Sequence, residues 1–344
     1  MSVLATPPVT VATLDDIPSL IQLRLHEGWH RNDALLAALT DWDGGRIFIV
    51  RAATRDATPD SPAAPDPDVI VASTSALAAG PIGVVGNVVV REGFRGAGLG
   101  RLVMESTLDW MRQRGVRAVY LDATSAGRPL YYKLGFVGVG RSWFAQAPLR
   151  SLDLASVAVH AGQSGAPQVA HRDPTALSHI AGLDLAAFGG DRLGLLQRIL
   201  AQGDSWLYIA DDPTGTPAGY TLLRLTRTPS AAVRLGPLVA TTPAAAASLM
   251  LAALGDDAPW RLSLDPAEAA SCRLDLNVPG TNPDALALVQ QAGAHLELDD
   301  LIMRLDMEPA SLTSTGCTGL DAPPPGPTPA HPNWLYAWLV PMVF

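Results

Sequence analysis

Arg95, Gly96, Gly98, Gly100 and Arg101 crowd into the stretch Glu92-Gly-Phe-Arg-Gly-Ala-Gly-Leu-Gly-Arg101. Alternating glycines keep Cβ atoms out of the way. The backbone N–H groups of Gly96, Ala97, Gly98, Leu99, Gly100 and Arg101 can then converge on one point. A helix predicted to begin near Leu99 adds the positive end of its dipole. Such a site suits a multiply charged anion, above all a pyrophosphate. The side chains of Arg95 and Arg101 could add charge to it. The same glycines could instead serve only to brace a tight strand-to-helix turn. A P-loop is excluded, because Gly100 is followed by Arg101 and Leu102 where Lys and Ser or Thr are required. A dinucleotide fold wants the turn after its first strand and an acidic residue about twenty residues on. Asp122 stands near that distance, but this turn follows several predicted strands.

The third reading is Arg-x-x-Gly-x-Gly, filled by Arg95, Gly98 and Gly100, with Val88 and Val90 before it and Leu130-Tyr-Tyr-Lys-Leu-Gly-Phe136 downstream. This combination resembles the acetyl-CoA turn of the GNAT N-acetyltransferases, over roughly residues 8 to 147. The resemblance implies direct transfer of an acetyl group from acetyl-CoA to an amine. It gives the amides of Gly96 to Arg101 the pyrophosphate to hold. Val88, Val89 and Val90 would offer main-chain groups to the pantetheine and the thioester carbonyl, where neighbouring strands splay. Tyr131 stands where the family places the tyrosine that faces the CoA sulfur and protonates the departing thiolate; the plainer role is packing. Tyr132 would point elsewhere on a helix. Near Thr124 the family commonly carries asparagine, so Thr124 or Ser125 must stand in.

The general base is the gap. The strand before the turn offers Asn87 but no carboxylate. Glu92 is close in sequence, where many relatives have proline. His26, Glu27 and His30 end the first predicted helix, with His26 and His30 on one face. Glu27 and Glu92 are the carboxylates assigned to this role, against the plainer reading of solvated polar residues. Asp184, Asp191 and Arg192 would either line an acceptor pocket or form a structural ion pair.

The elements that position these groups follow from periodicity. Val9–Thr13, Arg46–Arg51, Val69–Leu77, Ile82–Val90, Val116–Asp122 and Phe136–Phe144 read as strands. Helices are expected after Asp15, over Asn32–Leu39, from Leu99 to Gly115 and over Ser125–Leu134, with Pro129 tolerable only in the first turn. Residues 52–68, rich in Pro, Asp and Ala, read as a mobile loop. Residues 148–170 lose periodicity and read as a linker or a swapped strand. From His171 to Met307 the pattern repeats coarsely, with Thr-Thr-Pro-Ala after Ala240 and Leu288-Val-Gln-Gln-Ala-Gly-Ala294 in place of the glycine turn and the tyrosine segment. This resembles bacterial two-domain GNAT proteins, in which an intact half precedes a degenerate one that is not expected to catalyse. The expected fold class is mixed α/β (α+β), with tandem GNAT folds, each a twisted, mostly antiparallel sheet flanked by helices. The expected domains are residues 1–147, a linker at 148–170, a second domain at 171–308 and a Pro-rich disordered tail at 309–344.

Composition narrows the partners. The net charge of −9 argues against nucleic acid and favours a cationic or amine-bearing acceptor, such as a small molecule or a peptide N-terminus. Cys272 and Cys317 give neither a disulfide framework nor metal spacing, so no metal is expected. Neither a leader nor a membrane span is apparent, which makes a cytoplasmic monomer or homodimer the expectation. The competing function class is a non-catalytic acyl-CoA-binding or regulatory protein.

Overall fold

In the computed structural model, which describes residues 7–29, 32–52, 69–161, 168–169, 173–227, 230–307 and 335–337, the β-branched runs become strands. The described chain packs as two units: residues 7–119 with 307, and residues 120–306 with 335–337.

The first unit contains β1 (Thr10–Val11), α1 (Ile17–His26), α2 (Asp33–Asp41), β2 (Gly45–Arg51), β3 (Ile70–Ala79), β4 (Ile82–Val90) and α3 (Leu99–Gln113). Strands β1 to β4 pair in order, each antiparallel to the next. Strand β3 is buried along its whole length, and β4 along most of its own. That is why both read as nearly continuous apolar runs. Leu20, Ile21 and Leu23 of α1 pack with Ile47, Ile49, Ile70 and Val89. Leu99 and Val103 of α3 pack with Val50, Val71 and Ala72. The alternating residues of the strands thus bury against two separate helical layers. Gly83 lets α3 come close: a Cβ there would lie 2.9 Å from Met111 Sδ and from Val116 Cγ1.

The second unit begins within β5 (Ala118–Ala123) and continues through α4 (Arg128–Lys133), β6 (Val137–Pro148), α5 (Leu154–Ala161), β7 (Gln168–Val169), α6 (Pro174–Phe188), α7 (Leu193–Ala201), β8 (Ser205–Asp211), β9 (Pro217–Thr226) and β10 (Ala232–Ala240). It ends with α8 (Pro243–Leu254), α9 (Pro266–Ser271), β11 (Arg273–Pro279), α10 (Pro283–Gln291), β12 (His295–Asp306) and β13 (Leu335–Ala337). The strand order is β5-β12-β6-β11-β10-β9-β8-β7. Strand β6 pairs antiparallel with β12 on one side and with β11 on the other. The expected first-half closing strand is thus longer than its periodicity suggested and sits between two strands of the later sequence. The two packing units divide between residues 119 and 120.

That expected linker is itself partly ordered. Helix α5 buries Val157 completely and packs Leu154 and Ala161 on the core around α8. Its apolar set is too short to stand out as a period. In the expected disordered tail, Leu335–Ala337 forms β13, antiparallel to β10. The rest of the tail, and residues 53–68 of the expected mobile loop, lie outside the described residues. No described helix is long and apolar enough to cross a membrane.

Candidate functional site

The glycine turn grows out of a break in the ladder. Between β3 and β4 the register passes from Ser75↔Gly86 to Ser73↔Val89, so β4 carries an extra residue there. Asn87 sits at φ 48°, a left-handed conformation that asparagine tolerates. Its buried amide donates to Ser75 Oγ at 2.7 Å, and Ser73 Oγ donates to the Asn87 carbonyl at 3.3 Å. A bulge of this kind re-aims the strand end that follows it, here Val88 to Val90.

Beyond β4, Glu92–Phe94 makes one 3₁₀ turn. Gly96 and Gly98 then adopt φ values of 80° and 79°, and a Cβ on either would meet nothing within 4 Å. The space above the turn is open. The N-cap of α3 is Gly98, and no side chain caps the helix. The N–H of Leu102 reaches the Gly98 carbonyl at 3.0 Å, so the N–H groups of Leu99, Gly100 and Arg101 precede the helical ladder. Buried Leu99 anchors this end in the core. Open amides, open space and the helix dipole fit a diphosphate group.

The charged side chains around the turn are already engaged. Arg95 Nε donates to the Val90 carbonyl at 3.0 Å, and its Nη2 pairs with Glu27 Oε2. Glu27 thus ties the end of α1 to the turn through Oε2, while its Oε1 is buried without a hydrogen-bond partner among the described residues. Arg101 Nε bonds Glu105 Oε1 at 2.7 Å along α3. Glu92 is exposed in the 3₁₀ turn. His26 lines a cleft of about 790 Å³ beside α1, together with Ile17, Ile21, Asp33 and Arg91. His30 lies outside the described residues.

In the second unit, Thr124 starts the turn into α4: its carbonyl accepts from Gly127 and Arg128, and its Oγ1 lies 3.3 Å from Gly127 N. Ser125 is exposed. Tyr131 is buried and meets Phe136 edge to face at 6.0 Å. Gly127 lies so close that a Cβ there would come within 2.8 Å of the Tyr131 ring. Burial first, and then the charge of Asp300, hold the Tyr131 phenol well above its ordinary pKa, so it stays protonated. Tyr132 is exposed.

Sequence reasoning missed a carboxylate group beside Tyr131. Asp122 of β5 is buried, as are Asp300 of β12 and Ser142 of β6, and Asp300 stands opposite Ser142 in the ladder. Burial, then the charge of Asp300, push the Asp122 carboxyl up to about 7. The Ser142 hydroxyl offsets this a little, although no hydrogen bond joins the two. The sequence signal was an aspartate inside an otherwise apolar strand.

In the later sequence, Asp184 and Arg192 are sealed in the core. Arg192 Nη2 lies 2.8 Å from Asp184 Oδ1, its Nε lies 3.2 Å from both carboxylate oxygens, and Tyr220 donates its hydroxyl proton to the same carboxylate. This is the structural ion pair and not an acceptor wall. Exposed Asp191 accepts from Leu193 N at the start of α7. At α8, Thr242 Oγ1 accepts from Ala245 N, and Pro243 contributes no N–H. That helix start is closed, whereas the start of α3 is open. No group of three or more His, Cys, Asp or Glu among the described residues could hold a metal ion.

Two family models match the chain: "Acetyltransferase (GNAT) family" over residues 19–136 and "Acetyltransferase (GNAT) domain" over residues 180–314. The chain belongs to the GNAT acetyltransferase family. This GNAT chain is 29% identical over 201 residues to the uncharacterized N-acetyltransferase YitH of Bacillus subtilis (strain 168). The match covers 58% of this chain and 66% of that relative's length. Among solved structures, a proposed acetyltransferase from Pyrococcus horikoshii superposes with a TM-score of 0.63 at 19% identity, covering 89% of this chain and 91% of that one. A tandem GNAT protein from the clavulanic acid biosynthesis pathway superposes with a TM-score of 0.59 at 13% identity, covering 89% and 100%. The fold is therefore mixed α/β, with a twisted, mostly antiparallel sheet flanked by helices, and tandem GNAT in type.

Proposed function

We propose that the chain is an N-acetyltransferase that moves an acetyl group from acetyl-CoA directly to an amine, using the machinery of residues 1–147. The observation that carries this reading is the bulged strand β4 running into an uncapped, glycine-lined start of α3. Residues Gly96 to Arg101 would hold the diphosphate on their amides, and Val88, Val89 and Val90 would present main-chain groups to the pantetheine arm. Acetyl-CoA, when bound, supplies an acetyl group activated as a thioester. Tyr131 would keep its phenolic proton until it can donate it to sulfur. Thr124 would shape the turn that carries Tyr131.

Residues 171–308 would support the fold without catalysis, because their counterpart helix start is capped by Thr242 and Pro243. The acidic charge of the chain supports a cationic amine acceptor, either a small molecule or a peptide N-terminus. A cytoplasmic location, as monomer or homodimer, completes the reading.

Calorimetric titration with acetyl-CoA, followed by thiol release over a panel of amines, tests it. We expect one bound acetyl-CoA per chain and turnover on at least one amine. Tyr131→Phe should lose turnover by about 10²-fold or more while keeping its affinity for CoA. Unchanged turnover would remove Tyr131 from its role. Binding without turnover on any amine would mark a non-catalytic acyl-CoA-binding protein.

A further inference from the structure

Of the two carboxylates expected as bases, Glu27 is bound to Arg95 through Oε2, and Glu92 lies exposed in its turn. The second unit holds a further group of acidic and hydroxyl side chains. Asp122 is 8% exposed, and neither of its carboxylate oxygens has a hydrogen-bond partner among the described residues. Asp300 comes from the adjacent strand β12. Ser142, 2% exposed and directly across from Asp300 on β6, carries a hydroxyl that is likewise without a partner among the described residues. Buried polar atoms are almost always hydrogen-bonded. A carboxylate on β5 and a hydroxyl on β6, the strands on either side of β12, are therefore groups awaiting a donor from outside the fold. An ammonium group is such a donor: the Asp122 carboxylate and the Ser142 hydroxyl can accept its N–H groups, and the nearby Asp300 adds negative charge.

The neighbourhood is specific. The charged group acting on Asp122 is Asp300 from β12, and Ser142 faces it from β6. The same Asp300 charge acts on Tyr131 from α4. The base site and the proposed acid thus share one neighbour.

We infer that Asp122, positioned and tuned by Asp300, is the catalytic base that binds the acceptor's ammonium group and takes its proton. This rests on the acetyltransferase reading above. The Asp122 carboxylate removes one proton from the ammonium nitrogen. The freed lone pair forms the C–N bond to the acetyl carbon as the C–S bond breaks. Tyr131 donates its phenolic proton to the departing sulfur and is restored by the second proton lost from nitrogen. Asp122 then releases its proton to solvent, so the net products are amide, thiol and one proton. A carboxylate whose proton affinity lies near neutrality suits this task, since it is ionised at working pH yet still basic.

The test uses the full chain, the amine panel and pH 5 to 9. The wild type should show turnover that rises with pH through one midpoint. Asp122→Asn should lose turnover about 10²-fold or more, with its CoA affinity within about threefold of wild type. Asp300→Asn should shift the midpoint of its remaining turnover to lower pH, because the charge that raises Asp122 is gone. A merely structural role would not move that midpoint. Asp122→Asn turning over within threefold of wild type, or Asp300→Asn leaving the midpoint in place, would overturn the assignment. So would a wild type that binds acetyl-CoA and acetylates no amine. Failure to bind acetyl-CoA at all would instead remove the function reading itself.

Discussion

Three ionic arrangements at single residues carry different weights. The Arg95–Glu27 pair is half in solvent on the arginine side, with Arg95 54% exposed, so its net worth is about 0–1 kcal/mol. Glu27→Gln should leave chemical denaturation nearly unchanged and keep turnover on any reactive amine. The Asp184–Arg192 pair is 1% exposed on both sides, and Arg192 also lies over the Phe188 ring at 4.0 Å. Removing one partner leaves a buried charge, so Asp184→Asn should cost about 3–5 kcal/mol by denaturant titration. Asp122 works in the other direction. Its native pKa is raised to about 7, whereas the unfolded chain releases that proton near 3.8. Between those values the native state holds more protons, so stability falls as pH rises through the window. Asp122→Asn removes that loss. The variant should gain roughly 2–4 kcal/mol over wild type as pH goes from 4 to 8, while losing turnover. The difference levels off above the native value. A group that is costly to keep and needed for reaction is what a working base should be.

Among the elements, two helix starts differ in what they leave open. Helix α3 begins on a left-handed glycine without a cap, and α8 begins on Thr242 with Pro243 behind it. Thr242→Ala should cost about 1 kcal/mol of stability and leave CoA binding alone. This contrast was legible in the sequence, because glycine, proline and threonine impose their conformations locally. The bulge in β4 was not, since Asn87 shows its left-handed backbone only in pairing with β3. Nor was the group of Asp122, Ser142 and Asp300. Asp300 lies far along the chain from the other two, and only the ladder order β5-β12-β6 brings the three together. Glu27 and Arg95 likewise meet across a long sequence separation. Local chemistry was readable; non-local pairing was not.

At the scale of the whole molecule, the sequence divides into two similar halves, but the packing does not follow that division. Strand β6 belongs to the first half by order and lies between β11 and β12 of the second. A fragment ending at residue 147 would leave both edges of β6 open, an invitation to aggregate. We expect such a fragment to be insoluble or poorly folded by NMR, and the full chain to be well dispersed. The most direct measurement of the central claim is calorimetric titration of the full chain and of Gly98→Val with CoA. A β-branched residue at φ 79° is strained, and its side chain would stand in the open space above the turn, the place proposed for the diphosphate. The account requires one CoA per chain and loss of at least about tenfold in affinity in the variant, with the fold retained by circular dichroism. Full affinity in folded Gly98→Val, or a second equivalent CoA on the wild type, would contradict it.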